Sequence, residues 1–309
     1  MRSLRLLVAT SALFLVLPQA AAAATREYWL AAVPKRWSIV PKGRVDALGM
    51  HMRFPGKARF WAVVYRSFTP GFGRELTGDT TGLSGPIIRA EVGDTVIVHF
   101  KNLDTRYRQL HSLHTHGLDA AFEDDGSFDS GPKGRVAVGQ EVTYTLHATD
   151  TSVGFWIYHD HSANLGTSIL RGLYGPIVVT RPGEPEPDRR FIVFLHELPA
   201  GVTGLPRSFE TIDGLAYPGS APTFRATVGD TVEWDVAAVG SEFHSFHVHD
   251  HRWLDGNGRP VDTEGLIAGQ MFSARYVEDK VGRWLYHCHV DTHMDGGMVG
   301  WYVTTPPID

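Results

Sequence analysis

The chain has 309 residues, 43% of them hydrophobic and 20% charged, a composition that excludes a disordered protein and a polytopic membrane protein and leaves room for two ordinary domains. Its formal charge of -5 argues against a nucleic-acid partner. A single cysteine, Cys288, excludes any disulfide within the chain.

In chain order, Arg2 and Arg5 precede an apolar run from Leu6 to Leu17 and a small-residue stretch from Gln19 to Ala24. These are the three parts of a cleaved signal peptide over residues 1–24, with an apolar run too short to span a bilayer. The protein is therefore expected to be secreted or periplasmic, with no membrane partner. Strand-like runs follow at Thr95–Phe100, Glu141–Leu146, Leu173–Val179 and Arg190–Leu195, punctuated by Gly, Pro, Asn and Asp, and no long segment keeps a helical period. The proline- and charge-rich segment RPGEPEPDR from Arg181 reads as a boundary.

Three blocks occur twice in the same order. RAEVGDTVIVHF from Arg89 matches RATVGDTVEWDV from Arg225, HSLHTH from His111 matches HSFHVH from His244, and GFWIYHDH from Gly154 matches GRWLYHCH from Gly282. The pattern is a duplicated domain. The fold class expected is all-β, with one sandwich domain in residues 25–180 and another in 181–309.

Four His-x-His pairs lie in these blocks: His114 with His116, His159 with His161, His247 with His249, and His287 with His289. A strand places residues i and i+2 on one face, so each pair aims two imidazoles at one place. One such pair is ordinary; four at equivalent places in two repeats predict a metal cluster closed from two half-sites. Cys288 lies between His287 and His289, so its sulfur leaves the opposite face of the same strand. With His244, His293 and Met298 it makes the ligand set of a blue copper centre. Zinc would accept the first three of these ligands but gains nothing from a nearby Met, and core packing is the alternative role for Met298. In the first repeat Asp160, Leu165 and Leu170 stand where Cys288, His293 and Met298 stand in the second, so only His111 survives and no blue copper is expected there.

The blocks HTH, HDH, HSFHVH and HCHVDTHMDGGM resemble the copper-binding motifs of multicopper oxidases, and two domains with the blue copper in the second resemble the bacterial two-domain small laccases. The resemblance implies two cupredoxin-like Greek-key β-sandwich domains. It implies four copper ions per chain: a type 1 copper on His244, Cys288, His293 and Met298, a type 2 copper on His114 and His247, and a type 3 pair on His116, His159, His161, His249, His287 and His289. The implied activity is that of a laccase, one-electron oxidation of phenolic or other small aromatic donors coupled to reduction of dioxygen to water. Its electrons pass from the type 1 site through Cys288 to His287 and His289, in a homotrimer whose clusters lie between chains. Asp125 matches the family's proton-delivering carboxylate, and Asp262 is a weaker second candidate. One departure stands out: small laccases often have a tyrosine after HGLD, where this chain has Ala120. A copper nitrite reductase and a non-catalytic copper electron-transfer or sequestering protein are the alternatives. His51, His99, His147, His196 and His251 match no ligand position and read as surface or core residues.

Overall fold

The computed structural model describes residues 23–307 apart from 79 and 81, so the segment read as a signal peptide lies, up to residue 22, outside the described residues. Arg59–Ser67, Thr25–Ser38, Thr95–Asn102, Glu141–His147 and Asp119–Ala120 form, in that order, one five-stranded sheet. A four-stranded sheet of Ile88–Glu91, Tyr174–Thr180, Gly154–His159 and His114–Thr115 packs over it. The second sandwich pairs Phe209–Ile212, Arg189–Leu198, Thr231–Val239 and Met271–Val277 with a sheet of Thr223–Thr227, Val299–Thr305, Gly282–Cys288, His244–Val248 and Thr263–Leu266. The repeat is visible in the pairing, because Thr25–Ser38 runs parallel to Thr95–Asn102 as Arg189–Leu198 runs parallel to Thr231–Val239. Helices among the described residues are short, and none is long and apolar enough to cross a membrane.

Alternation explains most strands. In Thr95–Asn102 every second residue is buried, with Val96, Val98 and Phe100 in the first sandwich core. Thr25–Ser38 escaped the sequence reading because Leu30, Ala31, Ala32 and Val33 are all buried: Leu30 and Ala32 face that core, while Ala31 and Val33 face a second apolar cluster reaching Leu198, Phe209 and Tyr217. Phe155, Ile157, Tyr174 and Val178 also pack against Ile192, Phe194, Ala237 and Val239. At roughly 1.5–3 kcal/mol per fully buried Val, Ile, Leu or Phe, these shared clusters hold the two sandwiches in one fixed relation.

Candidate metal centres

Strand register builds two equivalent histidine quartets. His114 stands directly opposite His159 in the first sandwich, and His247 opposite His287 in the second. The ring of His114 lies 5.2, 5.4 and 5.1 Å from those of His116, His159 and His161, and that of His247 lies 5.1, 5.4 and 5.4 Å from those of His249, His287 and His289. Four rings donate their Nδ1–H to a backbone carbonyl: His114 to Asp125 (2.7 Å), His159 to Asp160 (2.9 Å), His247 to Asp262 (2.7 Å) and His287 to Cys288 (2.8 Å). A carbonyl only accepts, so in the neutral rings Nε2 keeps its lone pair.

These lone pairs converge. The Nε2 atoms of His116 and His159 are 3.1 Å apart, as are those of His249 and His287. Burial, with the neighbouring imidazoles, pushes His116, His159 and His287 down to about 4, so they are neutral donors near pH 7. His161 Nδ1 is buried with no hydrogen-bond partner. A neutral, inward-facing nitrogen set with a partnerless buried atom fits a copper ion and its outer hydrogen bonds.

Asp125 and Asp262 occupy equivalent places, and both touch their quartet through the main chain, each carbonyl holding the first histidine of an H-x-H block. Gly126 permits this at Asp125. Its φ is +75°, and a Cβ there would lie 2.2 Å from the Leu113 carbonyl. The Asp125 carboxylate is also near the ring, with Oδ1 3.4 Å from His114 Nδ1, whereas the exposed Asp262 carboxylate accepts from Thr263 Oγ1 (3.1 Å).

On the opposite face of Gly282–Cys288, the buried Cys288 Sγ lies 3.9 Å from His244 Nδ1 and 3.7 Å from His293 Nδ1, with those two nitrogens 3.2 Å apart. Ser245 N–H donates to the sulfur at 3.3 Å, and Met298 is buried in the same apolar cluster. Burial alone would lower His244, but Cys288 and Glu197 push it up to about 9. The pocket therefore attracts positive charge, and a metal cation competes there with a proton.

Three carboxylates around this pocket were not picked out from the sequence. Glu197, 1% exposed, accepts from Ser241 N–H and Oγ–H and places Oε2 3.9 Å from His244 Nε2. It fits because position 240 is glycine at φ +113°, where a Cβ would lie 2.1 Å from that oxygen. Glu242 pairs with His293 Nε2 at 3.0 Å. Glu210 joins them, with the three ligand atoms of Glu210, Glu242 and His293 within 4.8 Å of one another. Burial, then Glu242, pushes Glu210 up to about 7. Glu197 and Glu210 lie on strands whose approach to the His244 block is set by topology, whereas Glu242 lies two residues before His244 and was open to a local reading.

In the first sandwich the corresponding pocket holds an ion-pair triad. His111 Nδ1 meets Asp160 Oδ2 at 3.1 Å and His111 Nε2 meets Asp104 Oδ2 at 3.1 Å, all three fully buried. Of the remaining histidines, His51 and His147 are exposed and His99 stacks on Trp29. His196 is buried against Tyr174, and His251 is buried against Glu278.

Two family profiles, each described as multicopper oxidase, match residues 68–184 and 197–307. Among characterised proteins, the chain is similar to the Homo sapiens ferroxidase HEPHL1, at 26% identity over 90% of this chain and 29% of that protein. It is also similar to a probable nitrite reductase-hydroxylamine oxidoreductase fusion protein of Kuenenia stuttgartiensis, at 30% identity over 76% of this chain and 29% of that protein. The chain thus spans less than a third of the length of these relatives. A blue copper oxidase from Nitrosomonas europaea shares the fold with a TM-score of 0.70 at 22% identity, covering 91% of this chain and 86% of that one. A copper nitrite reductase from the same organism shares it with a TM-score of 0.68 at 19% identity, covering 91% and 94%. With both halves of its histidine blocks inside matched segments, the chain belongs to the multicopper oxidase family.

Proposed function

We propose that this chain is an exported, laccase-type multicopper oxidase that takes electrons singly from phenolic or other small aromatic donors and reduces dioxygen to water. The observation that carries the reading is the pair of histidine quartets, one per sandwich, with Cys288 on the back of the strand that supplies His287 and His289. Copper, bound there, supplies the one-electron redox chemistry. His114 and His247 would hold the type 2 ion, His116, His159, His161, His249, His287 and His289 the type 3 pair, and His244, Cys288, His293 and Met298 the type 1 ion.

Among the described residues no hydrogen bond or ring contact joins the two quartets, and His249 and His289 are exposed. In this reading each quartet is half of a site whose other half comes from a second copy. A closed ring of three chains, with residues 25–180 of one facing 181–309 of the next, satisfies every half-site at once. A nitrite-reducing interface with one copper would leave most of the eight imidazoles unused.

Of the nitrogen and sulfur ligands in the Cys288 pocket, His293 reaches toward the surface, with 12% of its side chain exposed, against 0% for the whole of His244 and Cys288. Phe243, next to His244 in the chain, is 54% exposed, and Glu242 pairs with His293 Nε2 at 3.0 Å, a setting suited to an aromatic donor. Glu210 next to Glu242 favours a second reading, a ferrous-ion donor.

The test is oxygen uptake by the copper-loaded protein over a dilution series, with mass followed by light scattering. Uptake with a phenol is expected to track the fraction of trimer, and a fully active monomer would overturn the shared site. Ferrous ion as the better donor would transfer the reading to metal oxidation.

Replacement of Asp125 by Asn separates its two contacts, because the carbonyl that holds His114 is kept while the carboxylate charge is lost. Oxygen reduction is expected to slow by about 100-fold, the lower end of what general acid catalysis contributes, with type 1 reduction unchanged in stopped-flow absorbance. Equal slowing of both would remove Asp125 from proton delivery.

A further inference from the structure

The chain carries a net charge of -5, yet cations from distant segments converge on one cavity of about 580 Å³ that shares no residue with the metal centres. In the second sandwich, Arg225 and Arg283 stand on either side of Val303 across three paired strands, so they leave the same face of the sheet. Two strand spacings separate them, about 9–10 Å. Trp301 is two residues along the central strand on that face, whereas Phe224, Trp284 and Tyr302 alternate inward to pack with the core. Lys42 and Arg44, from the first sandwich, close the cavity from the other side.

Arg44 is offset by Asp46 at 3.3 Å. Lys42, Arg225 and Arg283 have no carboxylate partner among the described residues, although the protein has more acids than bases. Asp46, the one carboxylate among the lining residues, is taken up by Arg44, so the other three cations face the cavity without an acid. The guanidinium carbon of Arg283 lies 3.8 Å from the centre of the Trp301 ring, a cation–π contact that leaves hydrogen-bonding capacity on the guanidinium. Such a fork matches a carboxylate or phosphate, and the cavity has the size of a small-molecule site.

We propose that this cavity binds a small, multiply charged organic oxyanion, a phosphate ester or a polycarboxylate, held between Arg225, Arg283 and Lys42. The test is titration calorimetry of the copper-loaded protein with two probes, inorganic pyrophosphate and tricarballylate, against the parent and an Arg225→Gln/Arg283→Gln variant. One anion per chain is expected to bind the parent, more weakly as salt rises. The double variant should bind at least ~10-fold more weakly, as loss of charge-assisted hydrogen bonds requires, with unchanged copper content. Both arginines are exposed, so the variant is expected to fold; Lys42→Gln, in the other sandwich, should weaken binding independently. Tighter binding of pyrophosphate assigns phosphate esters, and tighter binding of tricarballylate assigns polycarboxylates. No binding of either anion, or equal affinity in parent and double variant, overturns the site.

Discussion

Exchange of Cys288 for serine is expected to abolish the blue absorption of the copper-loaded protein, to lower its copper content by about one ion per chain, and to cut oxidation of phenols on the order of 100-fold or more. The reasoning starts from the ligand atom. A thiolate is soft and ionises readily, whereas a serine hydroxyl is hard and stays protonated, so the variant pocket keeps two imidazoles without the charge that selects copper. Folding should survive. Ser245 N–H, which now donates to Sγ at 3.3 Å, offers the new hydroxyl a partner, and this limits the cost of burying it to about 1–3 kcal/mol. The quartets are untouched, because His287 and His289 leave the other face of the strand and His287 is held by the Cys288 carbonyl, which serine retains. Absorption, metal analysis and oxygen uptake on one preparation therefore distinguish loss of the donor-side site from general unfolding. A variant that stays blue, or that oxidises phenols as fast as the parent, would remove Cys288 from the electron path.

How far the sequence reaches can be judged from particular residues. The His-x-His pairs were legible because strand alternation is local: His287 and Cys288 must leave opposite faces whatever the rest of the chain does. The register that sets His114 opposite His159 and His247 opposite His287 could be anticipated only from the repeat. Contacts made by the main chain were not legible. Asp125 and Asp262 were picked out for their carboxylates, yet it is their carbonyls that hold His114 and His247, and nothing in an aspartate's identity announces that use. Glu197, Glu210 and Asp104 were hidden for a different reason. Glu197 and Glu210 stand on neighbouring strands far in sequence from His244 and His293, so topology sets their partners, whereas Asp104 meets His111 seven residues on through an irregular segment that no strand or helix period describes.

The first-sandwich triad yields the second large effect. His111→Leu is expected to destabilise the protein by roughly 3–5 kcal/mol, the cost of leaving a buried ion pair half-broken. Asp104 and Asp160 would then be buried carboxylates without a cation, although Asp160 would keep Ser112 N–H (2.7 Å) and Ser162 Oγ–H (2.9 Å), and Asp104 would keep Tyr107 N–H (3.0 Å). The pH dependence separates charge from packing. Burial alone would lower His111, but its hydrogen bonds to Asp104 and Asp160 outweigh it and push the group up from 6.5 to about 9. A raised folded-state value contributes stability in full below about 6.5 and loses it as pH climbs through about 9. The two carboxylates move the opposite way: burial would raise them, yet the His111 hydrogen bond holds each below its ordinary 3.8, so their contribution is present above that value and is lost as pH falls through the depressed one. The triad is accordingly strongest between about 4 and 6.5. Denaturant unfolding of parent and His111→Leu at pH 6 and pH 9 should show the stability gap narrowing at the higher pH, because there the parent also loses its imidazolium. A gap equal at both values would mean that His111 is neutral throughout and that the pocket which lost its copper ligands is held by packing alone.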